Sequence, residues 1–194
     1  RFKSRGRMET RSDIATVDID VPALQKEGKW DPWSREKHIP LIKAAGEHGM
    51  DALIFDFYFI EDSERKLEMK ALNRVTDSAM YVDDFKRLFP DPDNDLAMAA
   101  KKAGNVIFGQ SFKPQGKKRE PVKTPTATMG KRLKLLEERG MFKNVDPEDF
   151  PTLFSAYDIE APVDTLILSS LGTYFFQSDP DIDGLQRKFP LVML

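Results

Sequence analysis

Apolar and polar residues alternate over residues 13–20, whose sequence is DIATVDID. Val17 and Ile19 fall on one side of an extended chain, whereas Asp18 and Asp20 fall on the other. Alternation at a period of two is typical of a half-buried strand. The pattern therefore predicts a first strand over these eight positions.

The next apolar patterns predict a helix and then a second strand. The helix begins near residues 37–38, because Pro40 is tolerated only in a first turn, and Gly49 is a natural C-terminal cap. Residues 52–60 are almost continuously apolar, with Asp56 as the one interruption. Such a run favours a strand covered on both faces of a parallel sheet. Strand, helix and strand would form a right-handed βαβ unit.

A second βαβ unit is predicted further along the chain. Residues 63–88 are charged and favour a helix, and the sequence DNDLAMAAKKAG then predicts a short helix with Asp93 as N-cap and Gly104 as C-terminal cap. The sequence NVIFGQSF that follows reads as the next strand.

The C-terminal half is predicted to leave the sheet and return to it. Residues 113–160 are interpreted as a variable excursion that contains a short amphipathic helix at KRLKLLEER. PVDTLILSS predicts a further helix with Asp164 near its start. Two β-rich runs then flank a turn rich in Asp, Gly and Pro, which favours a hairpin that adds antiparallel strands.

Together these elements predict an α/β fold with three layers. The sheet would be mixed and mostly parallel, with helices on both faces and a C-terminal β-hairpin. A chain of 194 residues with 40% hydrophobic residues is expected to form one domain. We assign residues 13–194 to that domain and residues 1–12 to an N-terminal segment.

Composition narrows the classes of function. The formal net charge of −2 gives no indication of a nucleic-acid surface, and without cysteine the chain forms neither disulfides nor thiolate metal sites. No apolar run reaches the roughly 18 residues that a membrane span needs. The sequence begins at Arg1 rather than at methionine, so we expect a piece of a longer protein.

Acidic residues follow the predicted parallel strands. Asp20 and Asp56 lie at or near two strand ends, Glu61 and Asp62 extend the acidic rim, and Arg35 opens the nearby helix. Ligand sites of open α/β sheets gather at this edge, so one hypothesis is a polar ligand or cation site. The other is structural, with these carboxylates capping loops and pairing with the arginine, and it is favoured because a buried charge needs a partner.

The sequence GKWDPWSRE contains Trp30 and Trp33, the chain's two tryptophans. We expect them to be buried against the start of the helix, with an indole N–H donating to Asp20 or Asp31. The alternative is that they stack on a ligand. With Arg35 and Asp56 they complete the candidate cluster, which is either structural or ligand-binding: Asp20, Trp30, Trp33, Arg35 and Asp56.

Other acidic motifs are weaker. DPDIDG begins like a calcium loop, but Pro190 occupies the twelfth position, where the loop needs a bidentate glutamate, so an aspartate-rich turn is the better interpretation. The sequence VDIDV resembles the Asp-x-Asp signature of haloacid-dehalogenase-like phosphotransferases, in which Asp18 would be the nucleophile and magnesium would be needed. His38 and His48 are expected at surface helix positions.

Five motifs in order carry a resemblance to a known family. They are TVDID, WDPWSR, ALIFDFYF, DNDLAMAAKKAGNVIF and DPDIDGLQRKFPLVM. The set resembles the type-two CHASE domain, a sensory module associated with cyclases and kinases. The positions that match the family pattern are Asp20, Trp30, Trp33, Arg35, Asp56, Phe59, Asn105, Gly184, Arg187 and Pro190, and the closing turn contributes Asp181, Asp183, Gly184 and Arg187.

The resemblance implies a role. Such a domain lies on the extracytoplasmic, periplasmic face of a bacterial membrane and controls a cytoplasmic adenylate or guanylate cyclase or a kinase. Residues 1–12 would then be membrane-proximal, and the membrane helices would lie outside this sequence. We expect a non-catalytic domain without a cofactor or metal, which forms a homodimer, binds a small-molecule or envelope signal and does not bind nucleic acid. The alternative is a soluble magnesium-dependent phosphotransferase that uses Asp18 and Asp20.

Overall fold

The computed structural model describes residues 13–29, 33–65, 88–114, 126–140 and 156–175. Within the chain, Arg1–Trp33 and Ser34–Leu194 form two compact units.

In the first unit, residues 13–20 form no strand, so that prediction and the first βαβ unit are wrong. Asp20 instead begins helix α1 (Val21–Glu27), and its Oδ1 accepts a hydrogen bond from the backbone N of Ala23 at 3.0 Å. The physical reason is a helix-start signal: an aspartate N-cap followed by Pro22 in the first turn. The alternation of apolar and polar residues alone did not reveal this helix start.

The second unit contains the sheet and the remaining described helices. In chain order its elements are a 3-10 helix (Arg35–His38), α2 (Ile39–Glu47), β1 (Leu53–Phe55), α3 (Pro92–Ala103), β2 (Val106–Pro114), α4 (Ala127–Glu138), β3 (Ala156–Glu160), α5 (Asp164–Ser169) and β4 (Gly172–Phe175). The helices predicted after the tryptophan loop, before β2, at KRLKLLEER and at PVDTLILSS are confirmed. Strand β3 was missed inside the predicted excursion.

Strand β2 is the centre of the sheet. It pairs in parallel with β1 (Leu53 opposite Val106) and with β4 (Ile107 opposite Gly172), and antiparallel with β3 (Phe112 opposite Ile159). Because Ile107 pairs with both parallel neighbours, β1 and β4 lie on opposite edges of β2. The α/β fold with a mixed, mostly parallel sheet is confirmed, and so is the second βαβ unit, β1–α3–β2.

The described helices α2 to α5 bury their apolar sides against one face of the sheet. Phe55 and Phe108 are paired across β1 and β2, and Phe112 lies on the same side of β2, since side chains alternate along a strand. The buried residues form two clusters, one of Ile42, Phe55, Phe59, Leu96, Ala97, Ala100, Val106, Phe108, Val163 and Leu166, and one of Phe112, Leu136, Ile159, Ala161 and Ile167. Helices on the opposite face stay a prediction, because residues 66–87, 141–155 and 176–194 lie outside the described part.

Two details of the predicted strands are corrected. Strand β1 is short, and burial alternates along it and along the residues that follow: Phe55 and Phe59 are buried, whereas Ile54 is 53% and Tyr58 40% exposed. The apolar run is therefore covered on one face, not on both, in the described structure. The first C-terminal run forms β4, which pairs in parallel with β2 rather than antiparallel. The turn and second arm of the predicted hairpin fall outside the described residues.

Candidate functional site

Arg35 is held by three different groups close to the carboxyl end of β1. Its Nε donates to Asp93 Oδ1 at 2.9 Å, and its Nη2 donates to the carbonyl oxygen of Glu61 at 2.6 Å. Its guanidinium carbon lies 4.6 Å from the centre of the Phe59 ring, within cation–π range. The arginine therefore joins the 3-10 helix to α3 and to the chain segment that follows β1.

Asp93 receives further hydrogen bonds from Ser63. The backbone N of Ser63 donates to Oδ2 at 2.6 Å, and the hydroxyl donates to Oδ1 at 3.1 Å. Asp93 is 7% exposed, so a buried carboxylate is compensated by one cation and two neutral donors. We call Arg35, Ser63 and Asp93 the Arg35–Asp93 clasp.

The clasp exists because helix α3 begins earlier than predicted. The N-cap is Asp91, which accepts from the backbone N of Asn94 at 3.1 Å, and not Asp93. Pro92 occupies the first turn, where its missing N–H costs nothing. Asp93 is then free of capping and turns inward. The Asp-Pro pair was the sequence signal for this start.

The members of the predicted cluster have separate partners. Asp20 caps α1, and the Trp33 indole N–H donates to the Gly28 carbonyl at 3.1 Å. Asp56 accepts a 3.0 Å hydrogen bond from the hydroxyl of Tyr174. Burial of this tyrosine, together with its bond to the carboxylate, raises the pKa of Tyr174 above its usual value.

Arg35 has Asp93, not Asp56, as its carboxylate partner. Trp30, Asp31 and the turn residues Asp181, Asp183, Gly184 and Arg187 lie outside the described residues.

His38 is buried, so its predicted surface position is wrong, whereas His48 is exposed as expected. The imidazole is 7% exposed and packs against the rings of Phe55, Phe57 and Phe59. Burial, together with the charge of Arg35, lowers the pKa of His38 to about 4. The ring is therefore neutral near pH 7.

A second buried arginine, which the sequence reasoning missed, lies on α4. Arg132 is 4% exposed, and its Nη1 donates to the carbonyl oxygens of Ile60 at 2.7 Å and Ala161 at 3.0 Å. Its Nε donates to Asp164 Oδ1 at 3.3 Å. The available signal was its spacing: it lies one helical turn before the buried Leu136, on the same helix face.

Lys131 completes this group. Its Nζ lies 2.6 Å from Asp164 Oδ2, so two cations share one carboxylate. Partial burial alone would raise the pKa of Asp164, but the hydrogen bonds and charges of Lys131 and Arg132 outweigh it, so this pKa lies below its usual value. Asp164 is thus ionised at neutral pH.

A polar surface cavity of about 280 Å³ opens beside Arg132. It is bounded by the segment after β1, by α4 and by the start of α5. The side chains that line it are Asp62, Thr128, Lys131, Arg132, Val163, Asp164 and Thr165. The cavity contains opposite charges and two hydroxyl groups, so a ligand there would be held by hydrogen bonds and by pairing of charges.

The described residues offer no support for the phosphotransferase hypothesis. Asp18 and Asp20 do not follow a strand, and Asp20 is engaged as a helix cap. No group of three or more His, Cys, Asp or Glu side chains in the described ranges is placed to hold a metal ion. Within these same ranges, no helix has both the length and the apolarity of a membrane span.

The fold and the site define the class of this protein. It is an α/β domain whose chain segments are joined by buried charged side chains, and it has a polar cavity with no assigned ligand. The chain belongs to the CHASE2 domain family, whose model matches residues 1–194. This confirms the resemblance drawn from the five motifs. The family consists of extracellular sensory domains that are not catalytic. No curated protein and no solved structure matches the chain.

Proposed function

We propose that this chain is the signal-input domain of a bacterial membrane receptor and that it lies on the periplasmic side of the cytoplasmic membrane. Its output would be a cytoplasmic adenylate or guanylate cyclase or a kinase. The observation that carries the proposal is the match of the whole chain, residues 1–194, to a family of extracellular sensory domains.

The mechanism is a shift between conformations. A signal changes the output only if it binds one conformation of the domain better than another. Residues 13–194 would form the sensory domain, residues 1–12 would connect it to the membrane, and two copies would act as a homodimer. In the described part of the chain, the segment after β1 is held by Arg35 and Asp93 on one side and by Arg132 on the other, so a shift that moves this segment would have to break these hydrogen bonds.

The test is the output of the parent receptor in membranes, measured as cyclic-nucleotide synthesis and as autophosphorylation. Residues 13–194 are replaced by a flexible linker, and the isolated output domain is the control for intact catalysis. We expect the replacement to change the basal output or abolish its response to growth conditions, while the isolated output domain stays active. Equal output and equal response with and without the domain would contradict the proposal.

The phosphotransferase alternative has its own assay. The 194-residue chain is incubated with magnesium and a generic phosphatase substrate, beside its Asp18→Asn variant. A sensory domain predicts no turnover in either sample. Turnover that disappears in the variant would replace the sensory proposal by an enzymatic one.

A further inference from the structure

We propose that the cavity beside Arg132 is the ligand site of the sensory domain and that it binds a small zwitterion with one carboxylate and one ammonium group, the chemistry of an amino acid. This inference rests on the proposed sensory function and names the ligand class that the function requires.

Arg132 provides the group that would bind the carboxylate. Its side chain is 5% exposed and is fixed by two backbone carbonyls and by Asp164, so it is already oriented before any ligand arrives. These bonds use Nε and Nη1, and no described residue accepts a hydrogen bond from Nη2. Nη2 is also not among the fully buried atoms that lack a partner, so it keeps some solvent exposure in a residue that lines the cavity. Its N–H groups can donate a charge-assisted hydrogen bond to a carboxylate.

Asp62 provides the group that would bind the ammonium. It lines the same cavity, is exposed and forms no ion pair with any described residue. Asp164 differs, because Lys131 and Arg132 already neutralise it. The hydroxyl groups of Thr128 and Thr165 line the cavity as well and can donate to or accept from either end of the ligand.

The balance of charge distinguishes a zwitterion from simpler ions. Lys131 and Arg132 face Asp62 and Asp164, so the charges of the described lining residues sum to zero. A simple anion could pair with Nη2 of Arg132 but would leave Asp62 without a partner charge, and a simple cation could pair with Asp62 but would leave Nη2 without one. A volume of about 280 Å³ lies just below the range of pockets for drug-sized ligands and fits a small metabolite.

The position of Asp62 connects the cavity to the Arg35–Asp93 clasp. Its chain neighbours are Glu61, whose carbonyl accepts from Arg35, and Ser63, whose backbone N donates to Asp93. A ligand that binds Asp62 and Arg132 together would therefore restrain the segment after β1 against α4. Such a restraint is a way for a bound signal to favour one conformation.

The test uses isothermal titration calorimetry and thermal shift on the 194-residue chain with the common L-amino acids as probes. Acetate and methylamine are the controls that carry only one of the two charges. We expect at least one amino acid to bind and to raise the melting temperature, with both single-charge controls inactive at the same concentration. Binding by none of the amino acids, or equal binding of acetate or methylamine, would overturn the proposal.

Matched variants locate the site. Asp62→Asn removes the charge of an exposed residue without an ion pair, so the variant should fold normally and bind the amino acid at least about tenfold more weakly. Asp51→Asn changes an exposed aspartate that does not line the cavity and should leave binding unchanged. Equal affinities of the two variants would overturn the assignment of the site. If no amino acid binds to the cavity while the output of the parent receptor still depends on this domain, the proposed ligand site is wrong and the proposed sensory function is unaffected.

Discussion

Replacing Asp93 by asparagine tests whether the Arg35–Asp93 clasp stabilises the domain. The substitution keeps the size of the side chain but removes the charge that faces Arg35. It also replaces one accepting oxygen by an NH₂ group, which would face either Arg35 Nε and the Ser63 hydroxyl or the backbone N of Ser63. At least one donor then loses its acceptor in a site where Asp93 is 7% exposed.

The expected loss follows from the burial of the ion pair. Breaking a buried pair by removing one partner costs about 3–5 kcal/mol, because the remaining charge loses its compensation. The side chains of Arg35 and Asp93 are 17% and 10% exposed, so some screening by water remains and the lower end, about 3 kcal/mol, applies. For a chain of this length that corresponds to a fall of about 6–12 °C in melting temperature. Ser63→Ala removes one hydrogen bond to the carboxylate and leaves the ion pair in place, so it should cost only about 1.5 kcal/mol.

The measurement is urea unfolding of the 194-residue chain, supported by thermal melts. Asp95→Asn is the matched control: it lies in the first turn of the same helix, and its side chain has no hydrogen bond or ion pair with any described residue. The free energy of unfolding of Asp95→Asn should fall only by the helix-dipole contribution, about 0.3–1 kcal/mol. Equal losses for Asp93→Asn and Asp95→Asn would refute the clasp as a source of stability.

Three further predictions concern stability. The unfolded His38 accepts a proton near pH 6.5 and the folded one only near pH 4, so the neutral ring contributes stability that is complete above pH 6.5 and is lost as the pH falls towards 4. Measured by urea unfolding, the free energy of unfolding should fall by about 1–3 kcal/mol between pH 6.5 and pH 4, and this fall should be absent in His38→Phe. An unchanged pH dependence in that variant would contradict the prediction. Gln110 is 4% exposed with an unpartnered Oε1, so Gln110→Met should stabilise the protein by about 1 kcal/mol, and a loss of that size would contradict the reasoning. Tyr174→Phe removes the hydroxyl that donates to Asp56 and should cost about 1 kcal/mol, whereas no change would mean that water replaces the bond.

Local signals predicted the helices and the central strand well. Gly104 adopts a left-handed conformation with φ of 75° at the end of α3, as its position after the lysines indicated. The acidic first turn and the basic last turn of that helix are also properties of neighbouring residues. Elements that depend on few distant contacts can be read from the sequence in this way.

Pairing between distant residues could not be predicted in the same way. Arg35 and Asp93 are 58 positions apart, and nothing in their spacing selects Asp93 over Asp20 or Asp56 as the partner. The acceptors of Arg132 Nη1 are backbone carbonyls, which have no sequence signature. A continuous apolar run likewise does not reveal which face of β1 receives the helices. The candidate cavity, which these contacts create, was therefore invisible in the sequence.

The central claim is that this domain lies outside the cytoplasm, and cysteine labelling tests it most directly. The chain has no cysteine, so Lys101→Cys, at an exposed position of α3, adds one thiol to the domain in the parent receptor. Cells are treated with a membrane-impermeant maleimide before and after lysis, beside the unmodified parent and a parent with a cysteine in its output domain. We predict that Lys101→Cys is labelled equally in intact and lysed cells, whereas the output-domain cysteine reacts only after lysis. Labelling of Lys101→Cys only after lysis would contradict the account.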